Sequence, residues 1–191
     1  LTFLLMPTVS RADAHKIVFD KLELDISESE TAQIFHIVDQ LSQWDQYTHK
    51  QYVRWAAKSL SLDDDDRRFL QRHVELRQRH GWGQGLEQAF LVDKSLDTAA
   101  RDAIKDGLLT EAEAKSERDI LFHFAPKLAP LIRQQKPAQD RFIQQLDDDH
   151  GRLAPTVAQL LAFCQIKSNI VVPVFLVANP DVKDGGGEAN G

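Results

Sequence analysis

Imidazole is a common nitrogen ligand for zinc, so the seven histidines are the first residues to weigh for chemistry. His73 and His80 stand seven positions apart. On a helix that spacing puts them on one face but about 10 Å apart along the axis, whereas one zinc ion holds its nitrogens at about 2.0 Å. The two therefore cannot chelate together. His36 with Asp39, and Asp147 with His150, have the three-residue spacing that sets two ligands side by side. Each pair lacks an obvious third ligand, and a catalytic zinc needs about three protein ligands, a structural one about four. Structural or solvated roles are the expectation for all of them. The motif His-Glu-x-x-His does not occur in the chain, and no residue is assigned as catalytic, cofactor-binding or metal-ligating.

Other groups are weighed the same way. Asp63-Asp64-Asp65-Asp66 lacks the alternate-position ligands, central glycine and distal glutamate of a calcium loop, and reads instead as carboxylates favoured by the open amides of a helix start. Gly81-Trp82-Gly83-Gln84-Gly85 is glycine-rich but follows a helix and lacks the Lys-Ser/Thr of a phosphate loop. A rigid turn with Trp82 packed into the core is expected there. Cys164 falls on an apolar stripe, where a buried thiol would be inert. Trp44, Tyr47, Tyr52 and Trp55 cluster along the chain, and core packing outweighs a sugar or peptide platform for them.

The elements that must position these residues are mostly helical. Ser27-Glu28-Ser29-Glu30 has the form of a capping box, and Ile34, Ile37, Val38, Leu41 and Trp44 follow at helical spacing. A second helix is expected from near Thr48, carrying Tyr52, Trp55, Ala56 and Leu60, and a third from the aspartate run to Gly81. Leu86 to Val92 reads as helical. Ser95 caps Leu96 to Asp106, Gly107 ends that helix, and Thr110-Glu111-Ala112-Glu113 is a second capping box. The stripe Ile120, Leu121, Phe124, Leu128 and Leu131 contains Pro126 and Pro130, so a kink or break is expected near Pro126. Pro137 would open the next helix, Gly151 would break it, and Pro155 would restart it ahead of Val157, Leu160 and Leu161. The fold class is mainly α, with about seven or eight helices between Ser27 and Lys167. His15 to Leu24 reads as an extended lead-in. Ile170 to Val177 (IVVPVFLV) is the most strand-prone run and is expected to be the first strand of an α+β domain.

Composition and charge narrow the function classes. The 191 residues are 42% hydrophobic and 27% charged, which excludes wholesale disorder. Lys plus Arg 23 against Asp plus Glu 29 gives a net charge of -6, so a nucleic-acid backbone is not an expected partner. No stretch approaches the roughly 20 apolar residues of a membrane span. Leu1 to Val9 is apolar and runs into Ser10-Arg11-Ala12-Asp13-Ala14, which fits the back half of a secretory signal cleaved after Ala14. The expected organisation is a signal remnant at 1–14, a helical domain at 15–167 and, at 168–191, the start of an α+β domain that continues past residue 191. The location would be periplasmic or secreted.

Three segments carry a family resemblance: His80 to Phe90 (HGWGQGLEQAF), Phe122 to Leu131 (FHFAPKLAPL) and Val172 to Asn190 (VPVFLVANPDVKDGGGEAN). Together they resemble the front part of a poorly characterised group of secreted bacterial proteins, whose later sequence resembles zinc metallopeptidases of the His-Glu-x-x-His type. The resemblance implies a helical region preceding a small mixed sheet, then a helix with two histidine ligands and a glutamate base. It would make Ile170 to Val177 an early strand of that sheet and Asn190-Gly191 the turn into its neighbour. Zinc is the cofactor implied for the full-length protein, with peptides or proteins as substrates, while no cofactor is expected in this chain. The chain would be a fragment, inactive on its own, because no position matches the motif. The alternative is a non-enzymatic helical module that binds a protein or peptide, with Trp44, Tyr52, Trp55 and Trp82 as anchors. A cytosolic helical domain, with Leu1 to Val9 packed against the rest, is a third reading.

Overall fold

Two short strands open the described part of the chain and a third closes it. In the computed structural model, which describes residues 15–46 and 49–180, His15–Phe19 (β1) and Leu22–Ser27 (β2) pair antiparallel across a two-residue turn. Asp20 takes a left-handed conformation there, at φ 51, which a short polar side chain tolerates. Six helices follow: Glu30–Ser42 (α1), Lys50–Ser59 (α2), Asp64–His80 (α3), Leu86–Phe90 (α4), Leu96–Lys105 (α5) and Glu111–Phe163 (α6). Ile170–Phe175 (β3) then lies parallel to β2, giving the order β1-β2-β3. The partner of the apolar β3 run thus lies upstream, in a strand that begins inside the segment read as a lead-in and runs on to Ser27. The sheet draws strands from both sides of the expected 167/168 boundary.

Local signals account for most helix starts. Asp63 accepts from the Asp66 amide while the Asp66 side chain returns to the Asp63 amide, and Thr110 with Glu113 makes the same reciprocal pair. Ser95 caps α5. At α1 the cap is Ser29, which accepts from Ala32, in place of the expected box at Ser27. Ser27 Oγ accepts instead from the Ser29 amide, which shifts the helix start by two residues.

Among the described residues the helix count is six, below the expected seven or eight, because α6 runs unbroken for 53 residues. The expected interruptions at Pro126, Pro137, Gly151 and Pro155 all lie inside it. A proline removes the bond to the carbonyl four residues back. Here all four prolines, and the carbonyl-bearing residues Phe122, Pro126, Arg133 and Gly151, are exposed, so water can serve the freed acceptors. At 1.5 Å per residue α6 is about 80 Å long, enough to serve two cores. Its first half supplies Ile120, Leu121, Phe124 and Leu128 to a cluster with Ile34, Phe35, Val38, Leu86 and Phe90. Its second half brings Phe142, Ile143, Leu146 and Val157 against Ile17, Phe19, Ile26 and Leu176 of the sheet layer. No helix among the described residues is long and apolar enough to cross a membrane. The signal expected at 1–14, Tyr47 and the turn at Asn190-Gly191 lie outside the described residues.

Candidate functional site

The histidine singled out at position 73 is the centre of a buried charged cluster. Its Nδ1 lies 2.8 and 3.0 Å from the two Glu117 oxygens, and its Nε2 lies 2.9 Å from Asp39 Oδ1. His73 and Glu117 are fully buried and Asp39 nearly so. Burial opposes a charge on the ring, but the carboxylates of Glu117 and Asp39 outweigh it and raise the His73 pKa to about 9. Arg77, one turn further along α3 and fully buried, donates to Glu87 and places its Nε 2.9 Å from Asp39 Oδ1. The Trp44 indole donates to Asp39 Oδ2 at 3.1 Å, and its ring centre is 4.2 Å from the Arg77 guanidinium carbon. Trp82 covers the same guanidinium at 5.3 Å and meets Trp44 at 5.0 Å.

This geometry ties α1, α3, α4 and α6 together. As an imidazolium, His73 donates from both nitrogens and keeps no lone pair for a metal or for proton abstraction. The two carboxylates face opposite nitrogens, so they do not converge on a shared ion. Among the described residues no group of three or more His, Cys, Asp or Glu side chains could hold a metal.

The other candidates separate as expected or move. His80 lies 3.3 Å from Glu113. His36 packs edge-on to Tyr52, and burial lowers its pKa to about 4. Asp147 meets His15 at 2.9 Å, while His150 bonds the Val18 carbonyl and stacks on Phe19. Asp66 is the exception in its run: it is fully buried and takes bonds from His123 and Lys127 at 2.6 Å. Two expectations are corrected. Trp82 is 51% exposed because positive-φ Gly81 and Gly83 hold it over Arg77 instead of in the core. Cys164 is exposed because it falls at the C-cap of α6, past the turn that faces the sheet.

Arg77, Glu87 and Glu117 were missed as members of the cluster. The available signal was register: His73 and Arg77 share the buried stripe of α3 with Leu70, and Glu117 shares that of α6 with Ala114, Ile120 and Leu121. Charges in such rows must find buried partners.

A second candidate lies on the outer face of the sheet. Asp25 and Ser27 of β2, Pro173 and Phe175 of β3, and Leu91, Val92 and Asp93 after α4 line a groove of about 250 Å³. Asp25 is opposite Pro173 and Ser27 opposite Phe175, so these four share one face. Ser29 Oγ donates to the Val92 carbonyl at 2.7 Å and fixes the other wall. The groove lies beside the edge of β3 that no strand among the described residues covers. Ile170 and Leu176 donate inward, to Lys21 and Ser27. Strand alternation then turns the backbone of Val171, Pro173 and Phe175 outward. Pro173 therefore occupies a position whose missing N–H costs the ladder nothing.

No family model, curated protein sequence or solved structure matches this chain.

Proposed function

We propose that this chain is a non-enzymatic helical docking module that holds an extended segment of a partner protein in the groove on its sheet. The observation that carries this reading is the groove's position beside the outward-facing backbone of β3. Added strands commonly bind at such edges, with alternate side chains entering pockets. Pro173 limits the edge to amide donors at Val171 and Phe175, so the groove supplies the selectivity. The buried charged cluster supports the same reading, since Arg77 pairs there with Glu87 and so fixes α4, the helix that residues 91–93 follow.

The test is selection of peptides from a random displayed library on the full chain, followed by hydrogen exchange. Selected peptides should slow exchange at Val171, Phe175 and residues 91–93. Protection confined to the helices, or no selected binder, overturns the reading.

The same open edge favours a second reading, in which β3 takes a following strand in a longer secreted or periplasmic zinc hydrolase with ligands outside this chain. The sequence resemblance supports it. Zinc content and peptidase activity of the full-length protein test it, and mass spectrometry finding His15 first in the exported product tests the export.

A further inference from the structure

We propose that the groove is a subsite for a single lysine or arginine side chain of the docked segment, an inference that rests on the docking reading above. The volume, about 250 Å³, is below the usual range for drug-sized ligands and suits one long side chain. Leu91, Val92, Pro173 and Phe175 offer apolar walls to the methylene stem of such a residue, and Asp25 and Asp93 offer carboxylates to its head. Asp25 Oδ1 has no hydrogen-bond partner but is closed to solvent, so the carboxylate must rotate to present this oxygen to an incoming charged donor.

Lys16 feels the charge of Asp25 but does not hydrogen-bond it. Lys16 stands opposite Asp25 across the β1–β2 ladder, yet its ammonium goes to Glu23 at 2.5 Å. A metal ion is a poorer fit than an ammonium or guanidinium. Calcium takes six to eight oxygens, and the Ser27 hydroxyl, the one other polar side chain in the lining, already accepts from the Ser29 amide. The net charge of -6 also favours the approach of a basic segment.

Four pools of blocked pentapeptides test the proposal on the full chain, with lysine, arginine, norleucine or glutamate at the centre and randomised β-branched flanks. Binding is read from amide shifts of Val92, Asp93 and Phe175. The lysine and arginine pools should bind about tenfold tighter than the norleucine pool, with the preference shrinking as salt is raised. In the Asp25→Asn/Asp93→Asn variant the preference should vanish while norleucine binding is unchanged, which also reports that the variant is folded. Equal binding of norleucine and lysine pools overturns the basic subsite and leaves the docking reading standing. No shift at the groove with any pool overturns both.

Discussion

His73 Nδ1 meets Glu117 Oε1 at 2.8 Å in a place where neither residue touches solvent. The pair joins α3 to α6 across 44 residues of chain, and Asp39 on the far side of the ring brings in α1. Taking one member away leaves a buried charge short of its partner, which typically costs about 3–5 kcal/mol. Glu117→Ala and His73→Ala should each lower stability by that order in urea titrations. Joint replacement by well-packed apolar residues, His73→Leu with Glu117→Met, should restore much of the loss. Single variants that cost less than about 1 kcal/mol would show that the cluster is not a tether.

The two buried histidines set opposite pH limits. His73 is raised from 6.5 to about 9, so its contribution is fully present below pH 6.5 and is lost as pH rises through 9. His36 is lowered from 6.5 to about 4, so the unfolded chain binds its proton more readily and stability falls as pH drops from 6.5 through 4. Together they predict a stability maximum near pH 6.5, flanked by losses of roughly 3 kcal/mol on each side. Chemical denaturation from pH 4 to pH 10 measures the curve. His73→Leu should flatten the alkaline limb and His36→Leu the acidic one.

Asp66 joins a helix cap to a tertiary ion pair. Burial alone would raise its pKa, but bonds from Lys127, the Asp63 amide and His123 hold it below the usual carboxylate value. Its contribution is therefore present above its unfolded pKa and is lost as pH falls through the lower folded value. Asp66→Ala removes both the cap and the Lys127 bonds and should cost about 3 kcal/mol by thermal or urea melting. Asp64→Ala, two residues earlier on the exposed side, should cost under about 0.5 kcal/mol.

What the sequence made legible follows from how local each signal is. The box at Thr110 involves residues three apart and forms as read, and the aspartate run does open a helix, with a reciprocal Asp63–Asp66 box that was not read there. The pairing of β3 with β2 joins Ile170 to Leu22 across some 148 positions, and nothing local encodes it. Pro126 and Gly151 mislead for a related reason. Their intrinsic cost is local, while the packing that overrides it comes from Phe35 and Phe90 on one flank and from Ile17 and Phe19 on the other. At the candidate sites, Glu117 is legible only as a charge out of place in an apolar row. The groove was not legible at all, because its walls come from three distant stretches of chain.

Pro137 sits where α6 passes from one core to the other, after Ile132 in the helical cluster and before Phe142 in the sheet cluster. Side chains on both sides of it are anchored to the start of α1: Lys136 binds Glu28, and Gln139 donates to Gln33 at 3.1 Å. Those contacts hold the helix through a residue that forfeits the bond to the Arg133 carbonyl. Pro137→Ala restores that bond and removes a helix penalty of about 3 kcal/mol, offset by about 0.4–1 kcal/mol of lost restriction on the unfolded chain. If the present backbone already suits an alanine, the gain should be about 2–3 kcal/mol, at roughly 2–4 °C in Tm for each kcal/mol. A lower Tm would mean that the helix needs the proline's local geometry to reach both cores at once. In that case adding Gln33→Ala to Pro137→Ala should cost less than Gln33→Ala costs in the parent chain, because the Gln33 to Gln139 contact would already be strained, and a double-mutant cycle reads that coupling directly.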